Sequence, residues 1–206
     1  LYGTGAEDLA AGDEFRCDFA GSVAARIYAT AGEIVEAWDD PDGIAARLSD
    51  PEPENPDFRT EREGLQALLG VFVNSSELVA DTRLKPFLGK SAETAKPKRA
   101  LFWRSGLTGA TIDADMKGLE DFYKASGMSS LVPDDLERYG KSAMFELTNA
   151  RRTIAATEPP LPDAATDPET YEAVNYLRLV LLSIRDTFSG RIAGGLGLSA
   201  GFSSLD

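Results

Sequence analysis

The sequence contains no histidine and a single cysteine among its 206 residues. Without imidazole, the chain alone cannot assemble a Ser/His/Asp or Cys/His triad, an HExxH zinc site or a His-ligated haem. Cys17 has no second cysteine to pair with inside the chain, so cysteine pairing says nothing about the redox compartment. A hydrolytic site of these familiar kinds would need residues from outside the chain.

Positive charge is also scarce. The chain has 21 Lys and Arg against 34 Asp and Glu, a net charge of -13 and a pI near 4.5. Basic residues cluster in one short run, Lys96–Arg99. Proteins that bind nucleic acid need a positive surface to match the phosphates, so we expect no nucleic-acid partner and no anionic membrane surface.

Long hydrophobic runs are missing. No window approaches the ~20 apolar residues of a membrane span, so we expect no membrane-spanning helix. The chain begins at Leu1, with no basic segment followed by an apolar run, and we expect any targeting signal to have been removed or to lie outside the sequence. The content of 43% apolar residues is sufficient for one hydrophobic core.

Apolar residues recur every three or four positions in five segments, the spacing of helices with one buried face. The segments run from Asp13 to Asp39, from the capping box Thr60–Glu63 to about Leu84, from about Ile112 to Gly127, from Pro133 to Pro159, and from Thr166 to Gly194. No convincing alternating strand is present. The pattern predicts an all-α, up-and-down bundle of four long helices and one shorter helix.

Two long loops join these helices, and one set of side chains is expected to form the core. Residues 41–57 begin with a proline and contain three more, which predicts an exposed loop. Residues 85–107 predict an irregular connection. The expected core takes apolar residues from every long stripe. Its members are Phe19, Ile27, Phe72, Leu119, Leu147, Leu181 and Phe188.

Two motifs favour structural interpretations over chemical ones. Asp113 and Asp115 have the spacing of a hard-metal site, but positions i and i+2 of a helix face different directions. We expect both carboxylates to be solvated in the first turn of their helix. Gly194–Gly197 follows a helix instead of joining a strand to one, so it fails the test for a phosphate loop.

The segment Arg99–Gly106 is the strongest candidate for chemistry. It places Trp103 and Arg104 in an irregular connection, where the indole must dock on the bundle and the guanidinium can reach a carboxylate. A structural anchor remains the alternative, because large aromatic side chains usually serve burial. Glu77 interrupts an otherwise apolar helix, and is either solvent-facing or the lining of a cavity.

These residues resemble the imelysin-like family, the M75 peptidase-like proteins of bacterial envelopes linked to iron uptake. The family has a stretch of the form G-L-L-x-G, followed by G-E-L-x-x-x-R-L and then by P. These three parts are similar to Leu68–Gly70, Ser76–Leu84 and Pro86. A loop serine followed by an N-L-x-G element resembles Trp103–Gly106 and Met116–Leu119. The closing G-F-x-x-x-D is similar to Gly201–Asp206, and Leu1–Gly3 resembles the segment after the family's G-x-H-x-x-E motif.

The resemblance implies two related bundles, with residues 1–12 a remnant of the first and residues 13–206 forming the C-terminal one. It implies a periplasmic or envelope protein, lipid-anchored in its full form, that binds iron or a metal ligand next to its upstream bundle. The residues carried over from the family are Glu77, Arg83, Arg104 and Ser105, to which Trp103 is added as a ligand-binding candidate. We expect them to form one polar wall.

Three functions remain open. The first is a binding module in iron or metal-ligand uptake. The second is a metallopeptidase whose metal ligands lie upstream of this chain, with a divalent metal or iron at a site shared with the upstream bundle. The chain alone, lacking the G-x-H-x-x-E motif, is expected to have no hydrolytic activity and to contribute no catalytic residue. The third is a helical scaffold for another envelope protein, which would show a large exposed apolar patch.

Overall fold

The computed structural model describes residues 7, 10–12 and 14–198. The motifs at Leu1–Gly3 and Gly201–Asp206 lie outside these residues. Within residues 14–198 the chain is helical and has no β-strand, which confirms the all-α prediction. The up-and-down order of the helices and the division at residue 12 stay predictions.

The chain divides into two compact units, residues 1–64 and residues 65–206. The helices are α1 (Glu14–Asp39), α2 (Ile44–Ser49), α3 (Glu61–Glu77), α4 (Lys85–Leu88), α5 (Thr108–Ala125), α6 (Met128–Leu131), α7 (Asp134–Ala156), α8 (Leu161–Ala164), α9 (Pro168–Asp186) and α10 (Ala193–Gly195). Two π-helical segments continue α3 and α9, Leu78–Leu84 and Thr187–Ile192, and two short 3-10 turns, Ala92–Thr94 and Pro97–Arg99, lie before α5.

The signals that begin and end the helices act largely as the sequence predicts. At the start of α3 the Glu63 carboxylate accepts a hydrogen bond from the Arg59 amide at 2.6 Å, and the Glu63 amide donates to the Thr60 hydroxyl. Gly127 ends α5 with φ +61°, a left-handed conformation that favours glycine. The cap of α9 is Asp167, one residue after the predicted Thr166, and its carboxylate accepts from the Glu169 amide.

In the unit of residues 1–64, α1 buries none of its side chains. The prediction that Phe19 and Ile27 belong to the core is wrong, because they are 56% and 65% exposed. The next helix, α2, is six residues long and too short to cover such a stripe. An apolar stripe predicts which face of a helix seeks cover, without predicting that a partner element exists.

The loop after α1 is more ordered than the sequence predicts. It contains α2, and Asn55 is buried beneath it. The Asn55 amide donates to the carbonyl oxygens of Arg47 and Asp50, while its side-chain oxygen accepts from the Asp57 and Phe58 amides. The Arg47 guanidinium pairs with the Asp57 carboxylate at 2.5 Å. One asparagine thus supplies the hydrogen bonds that fix a proline-rich loop.

In the unit of residues 65–206, helices α3, α5, α7 and α9 enclose the core. Five of the predicted core residues are buried there: Phe72, Leu119, Leu147, Leu181 and Phe188. The rings of Phe72 and Phe188 stack at 4.1 Å between centroids, and Tyr123 meets both rings edge-on. Residues 85–107, expected to be irregular, carry α4 and both 3-10 turns. Within this segment, α4 buries Phe87 and Leu88 in the same core.

Candidate functional site

Charged side chains follow one line from the end of α3 through the first π segment, and arginines of α9 face them. The Arg178 guanidinium donates to the Asp81 carboxylate at 2.9 Å, and the Lys85 ammonium lies 3.4 Å from the same oxygen. Arg185 lies 3.9 Å from the Glu77 carboxylate and also pairs with Asp186. Glu77 is therefore neither solvent-facing nor isolated, because its side chain is only 14% exposed and has a cationic partner.

The pKa of Asp81 is lowered from its ordinary value, chiefly by the hydrogen bond that Arg178 donates. Lys85 acts in the same direction through its own hydrogen bond and its charge, and burial opposes both. Asp81 thus stays ionised at neutral pH. Each charge of this line has an oppositely charged neighbour, although the buried Arg178 Nε has no hydrogen-bond partner among the described residues, so the line joins α9 to the π segment.

Arg83 and Asp115 are paired in a different way. The Arg83 Nε and the Asp115 Oδ2 are 4.0 Å apart, an ion pair but too long for a hydrogen bond. Both atoms are buried, and neither has a hydrogen-bond partner among the described residues. Burial raises the pKa of Asp115, and the charge of Arg83 opposes the rise only in part. The two groups are therefore held together by their charges, with no hydrogen bond between them.

The predicted loop lies beside this pair. Arg83 lines a narrow crevice, too small to admit a water molecule, together with Leu101 and Phe102, and Thr108, Thr111 and Ile112 close it. Phe102 has φ +63°, a left-handed backbone that is costly for a bulky side chain. The Ser105 hydroxyl and amide both reach the Phe102 carbonyl at 3.1 Å, and the buried Thr108 hydroxyl donates to the Leu101 carbonyl at 2.6 Å. Ser105 therefore holds the strained turn.

Trp103 and Arg104 lie together outside the crevice that Arg83 lines. Trp103 packs partly buried against the core and lines a cleft of about 640 Å³ with Lys96, Lys98 and three prolines. The Arg104 guanidinium lies 4.5 Å from the centre of the indole ring. No contact joins Arg104 to Glu77 among those that the described residues make. The structure thus divides the five predicted residues among three neighbourhoods, and the single polar wall stays a prediction.

Sequence reasoning missed the partners of the predicted residues and misjudged two acids. Asp113, expected to be solvated, accepts a two-pronged hydrogen bond from Arg151 at 2.8 and 3.2 Å, and Asp115 is the partner of Arg83. The prediction failed because both arginines come from distant segments of the chain. Glu120 is buried and accepts from Thr148 and Arg151.

A signal for two of the missed residues was present in the sequence. Glu120 stands four residues after Met116, inside the apolar stripe of α5, and Arg178 stands four after Val174, inside that of α9. A charged residue on an apolar stripe must be paired across the helix interface, because an unpaired buried charge is costly. Within the described ranges, no three His, Cys, Asp or Glu side chains come together as a metal-binding group.

The described residues thus form an all-α protein with a line of ion pairs, an Arg83–Asp115 pair and an aromatic cleft. The imelysin (peptidase M75) family model matches residues 1–185, so the chain belongs to the imelysin family. No curated protein and no solved structure was found to match it. Within residues 14–198, no helix combines the length and the apolar content that crossing a membrane requires.

Proposed function

We propose that this chain is the ligand-binding part of an imelysin-family protein of the bacterial envelope, acting in the uptake of iron or of another metal carried by a ligand. Family membership supports the setting, and the Arg83–Asp115 pair carries the proposal. A metal of the site would arrive with its ligand or be shared with an upstream bundle. Glu77, Trp103, Arg104 and Ser105 remain candidates for the flanking surface.

The chemistry of the pair suits an anionic metal complex. A guanidinium offers donors in a fixed fork that matches a carboxylate, and the Arg83 Nε has no partner among the described residues. An oxygen-rich ligand that displaced Asp115 from Arg83 would accept hydrogen bonds from the guanidinium. Asp115, with its raised pKa, would accept a hydrogen bond or, when protonated, donate one.

Three features prepare the surroundings for a ligand. Arg83 lies in a π-helical segment, an arrangement that is frequent at functional sites. Phe102, on the other side of the narrow crevice, holds a strained backbone conformation. The neighbouring Asp81 is already neutralised by Arg178, so Arg83 is the cation of this segment whose hydrogen-bonding capacity is unused.

Equilibrium dialysis of the chain against ferric citrate, with citrate alone as a second probe, tests the proposal. We expect saturable binding of the complex, weakened about tenfold in Arg83→Gln because a charge-assisted bidentate contact is lost. Lys117→Gln is the matched control, because it removes one positive charge on the exposed face of α5. Absence of saturable binding, or equal loss in both variants, would contradict the proposal.

The exposed stripe of α1 favours a second candidate, a scaffold for another envelope protein. Phe15, Ile27 and Tyr28 are each more than half exposed on this helix. Exposed apolar surface of this extent marks interaction sites in many proteins. Co-purification of a partner from envelope extracts should be abolished by Ile27→Glu and retained by Glu36→Gln on the same helix. Equal recovery with both variants would exclude the scaffold function for this face.

A further inference from the structure

We infer that the cleft beside Trp103 is a binding site for a small planar organic anion, of the size and charge of an aromatic carboxylate. The cleft is lined by Lys96, Pro97, Lys98, Trp103, Gly106, Thr108, Pro160, Pro162 and Asp163. This inference goes beyond the proposed function, because its argument uses neither Arg83 nor Asp115.

The size and walls of the cleft suit a flat ligand. Its volume of about 640 Å³ falls in the range of small-molecule sites. The Trp103 indole forms one wall and is anchored on the core, while Pro160 and Pro162 belong to the segment at the start of α8. Proline rings and an anchored indole lose little conformational freedom when a ligand binds, so the cleft is preorganised.

The charge of the rim selects an anion. Lys96 and Lys98 belong to the basic run that stands out in a chain of net charge -13. Both side chains are exposed, and neither forms an ion pair with a carboxylate of the described residues. The Lys98 ammonium lies 5.9 Å from the centre of the Trp103 ring. A carboxylate held above that ring would therefore lie next to a cation with no competing partner.

Two further features narrow the class of ligand that the cleft would bind. The Arg104 guanidinium lies 4.5 Å from the centre of the Trp103 ring, so a cationic ligand would meet a like charge beside the aromatic face. Asp163 lies on the rim and would repel a second negative group, which favours a ligand with a single negative charge. The strongly acidic chain disfavours extended polyanions for the same reason.

Isothermal titration of the full chain with 2-naphthoate tests the inference, with 2-naphthylmethylammonium as a probe of the same ring and opposite charge. We expect saturable binding of the anion that weakens as salt is added, and no binding of the cation. The double variant Lys96→Gln/Lys98→Gln should bind 2-naphthoate about tenfold more weakly. These lysines are exposed, so the variant is expected to fold, which a circular dichroism spectrum checks.

Lys117→Gln and Arg83→Gln should bind 2-naphthoate as the unchanged chain does. Equal binding of both probes, an unchanged affinity in the double lysine variant, or no saturable binding of 2-naphthoate at millimolar concentration would each overturn the inference. Loss of ferric citrate binding with 2-naphthoate binding retained would refute the proposed function alone. The two proposals therefore fail separately.

Discussion

Helices α1 and α9 carry the same kind of apolar pattern and differ completely in burial. Apolar side chains recur every three or four residues along both. α9 buries Tyr171, Val174, Leu177, Val180, Leu181 and Ile184, whereas α1 buries nothing. The comparison teaches that periodicity fixes the direction of the apolar face, while burial energy depends on a partner surface. Matched substitutions at covered and uncovered positions measure that difference.

The largest effect is expected from truncating a covered aromatic ring. Phe188 is fully buried and stacks on Phe72, so Phe188→Ala should lower the free energy of unfolding by about 3–5 kcal/mol. Phe19→Ala on α1 should change it by less than about 0.5 kcal/mol. Urea unfolding followed by circular dichroism measures both. A cost at Phe19 as large as that at Phe188 would show that α1 is covered in solution.

The next effect concerns ion pairs. Arg151 holds Asp113 and the buried Glu120 between α5 and α7, so Arg151→Met should cost about 2–3 kcal/mol, because Glu120 loses its cation inside the protein. Lys117→Met breaks the exposed pair with Asp121 and should cost less than about 0.5 kcal/mol. Urea midpoints of the two variants give the comparison. Equal midpoints would mean that water reaches Glu120.

A smaller effect is expected from two helical glycines. A Cβ at Gly140 would lie 2.4 Å from the Tyr123 hydroxyl, whereas one at Gly118 would meet nothing within 4 Å. Gly118→Ala should therefore raise the free energy of unfolding by up to about 1 kcal/mol through helix propensity. Gly140→Ala should lower it by about 1–2 kcal/mol through overpacking. The melting temperatures check both signs.

Tyr123→Phe serves as the rescue for the Gly140 variant. The Tyr123 hydroxyl is buried without a hydrogen-bond partner among the described residues, so its removal should cost little by itself. In the double variant Tyr123→Phe/Gly140→Ala, part of the loss should be recovered, because the hydroxyl contact is gone while two ring carbons stay 2.9 and 3.0 Å from the new Cβ. An additive loss in the double variant would show that the ring carbons cause the strain.

The smallest effect is a pH-dependent one at Asp115. Burial raises the pKa of Asp115, so the folded protein binds this proton more tightly than the unfolded chain does. That contribution to stability is fully present below the ordinary value of 3.8 and is lost as the pH rises through the raised pKa. Asp115→Asn should therefore stabilise the protein at pH 7, by less than about 1 kcal/mol because solvent screens a partly exposed group.

Asp121 is the uncovered counterpart. The hydrogen bond from Lys117 lowers the pKa of this exposed carboxylate. Its contribution to stability is therefore present above the ordinary pKa and is lost as the pH falls through the lowered pKa. Asp121→Asn should shift stability at pH 7 in the opposite direction to Asp115→Asn. Urea midpoints of both variants between pH 3 and pH 7 measure these stability shifts. Shifts of the same sign at pH 7 would contradict the opposite pKa directions of Asp115 and Asp121.

The sequence predicted much of the fold because its signals are local. The stripes, the Thr60–Glu63 capping box and the glycine that ends α5 depend on residues three or four positions apart. The exposure of Phe19 could not be predicted in this way, because it depends on which surfaces the rest of the molecule supplies. The order in residues 41–57 was missed because it depends on hydrogen bonds from the single side chain of Asn55.

The candidate site was predicted in part. The family resemblance indicated Arg83, but its partner Asp115 lies 32 positions later, and an ion pair of that separation leaves no local pattern. The strain at Phe102 was also invisible, because nothing about a phenylalanine in a loop predicts a left-handed backbone. The cleft had one visible sign, the basic run beside Trp103, whose meaning depended on the approach of Pro160 and Pro162.

The two π-helical segments bear on how this protein tolerates insertions and deletions. A π turn takes up one more residue than an α turn, so each segment is equivalent to a single residue inserted into a regular helix. Deleting one residue from Leu78–Leu84 would therefore let this segment wind as a regular α-helix and keep the chain beyond it in the same register. Phe87 and Leu88 would then stay in the core. Inserting a further residue would instead rotate everything beyond it by about 100° around the helix axis and turn both side chains away from the core. The length of this segment is therefore open to change in one direction only.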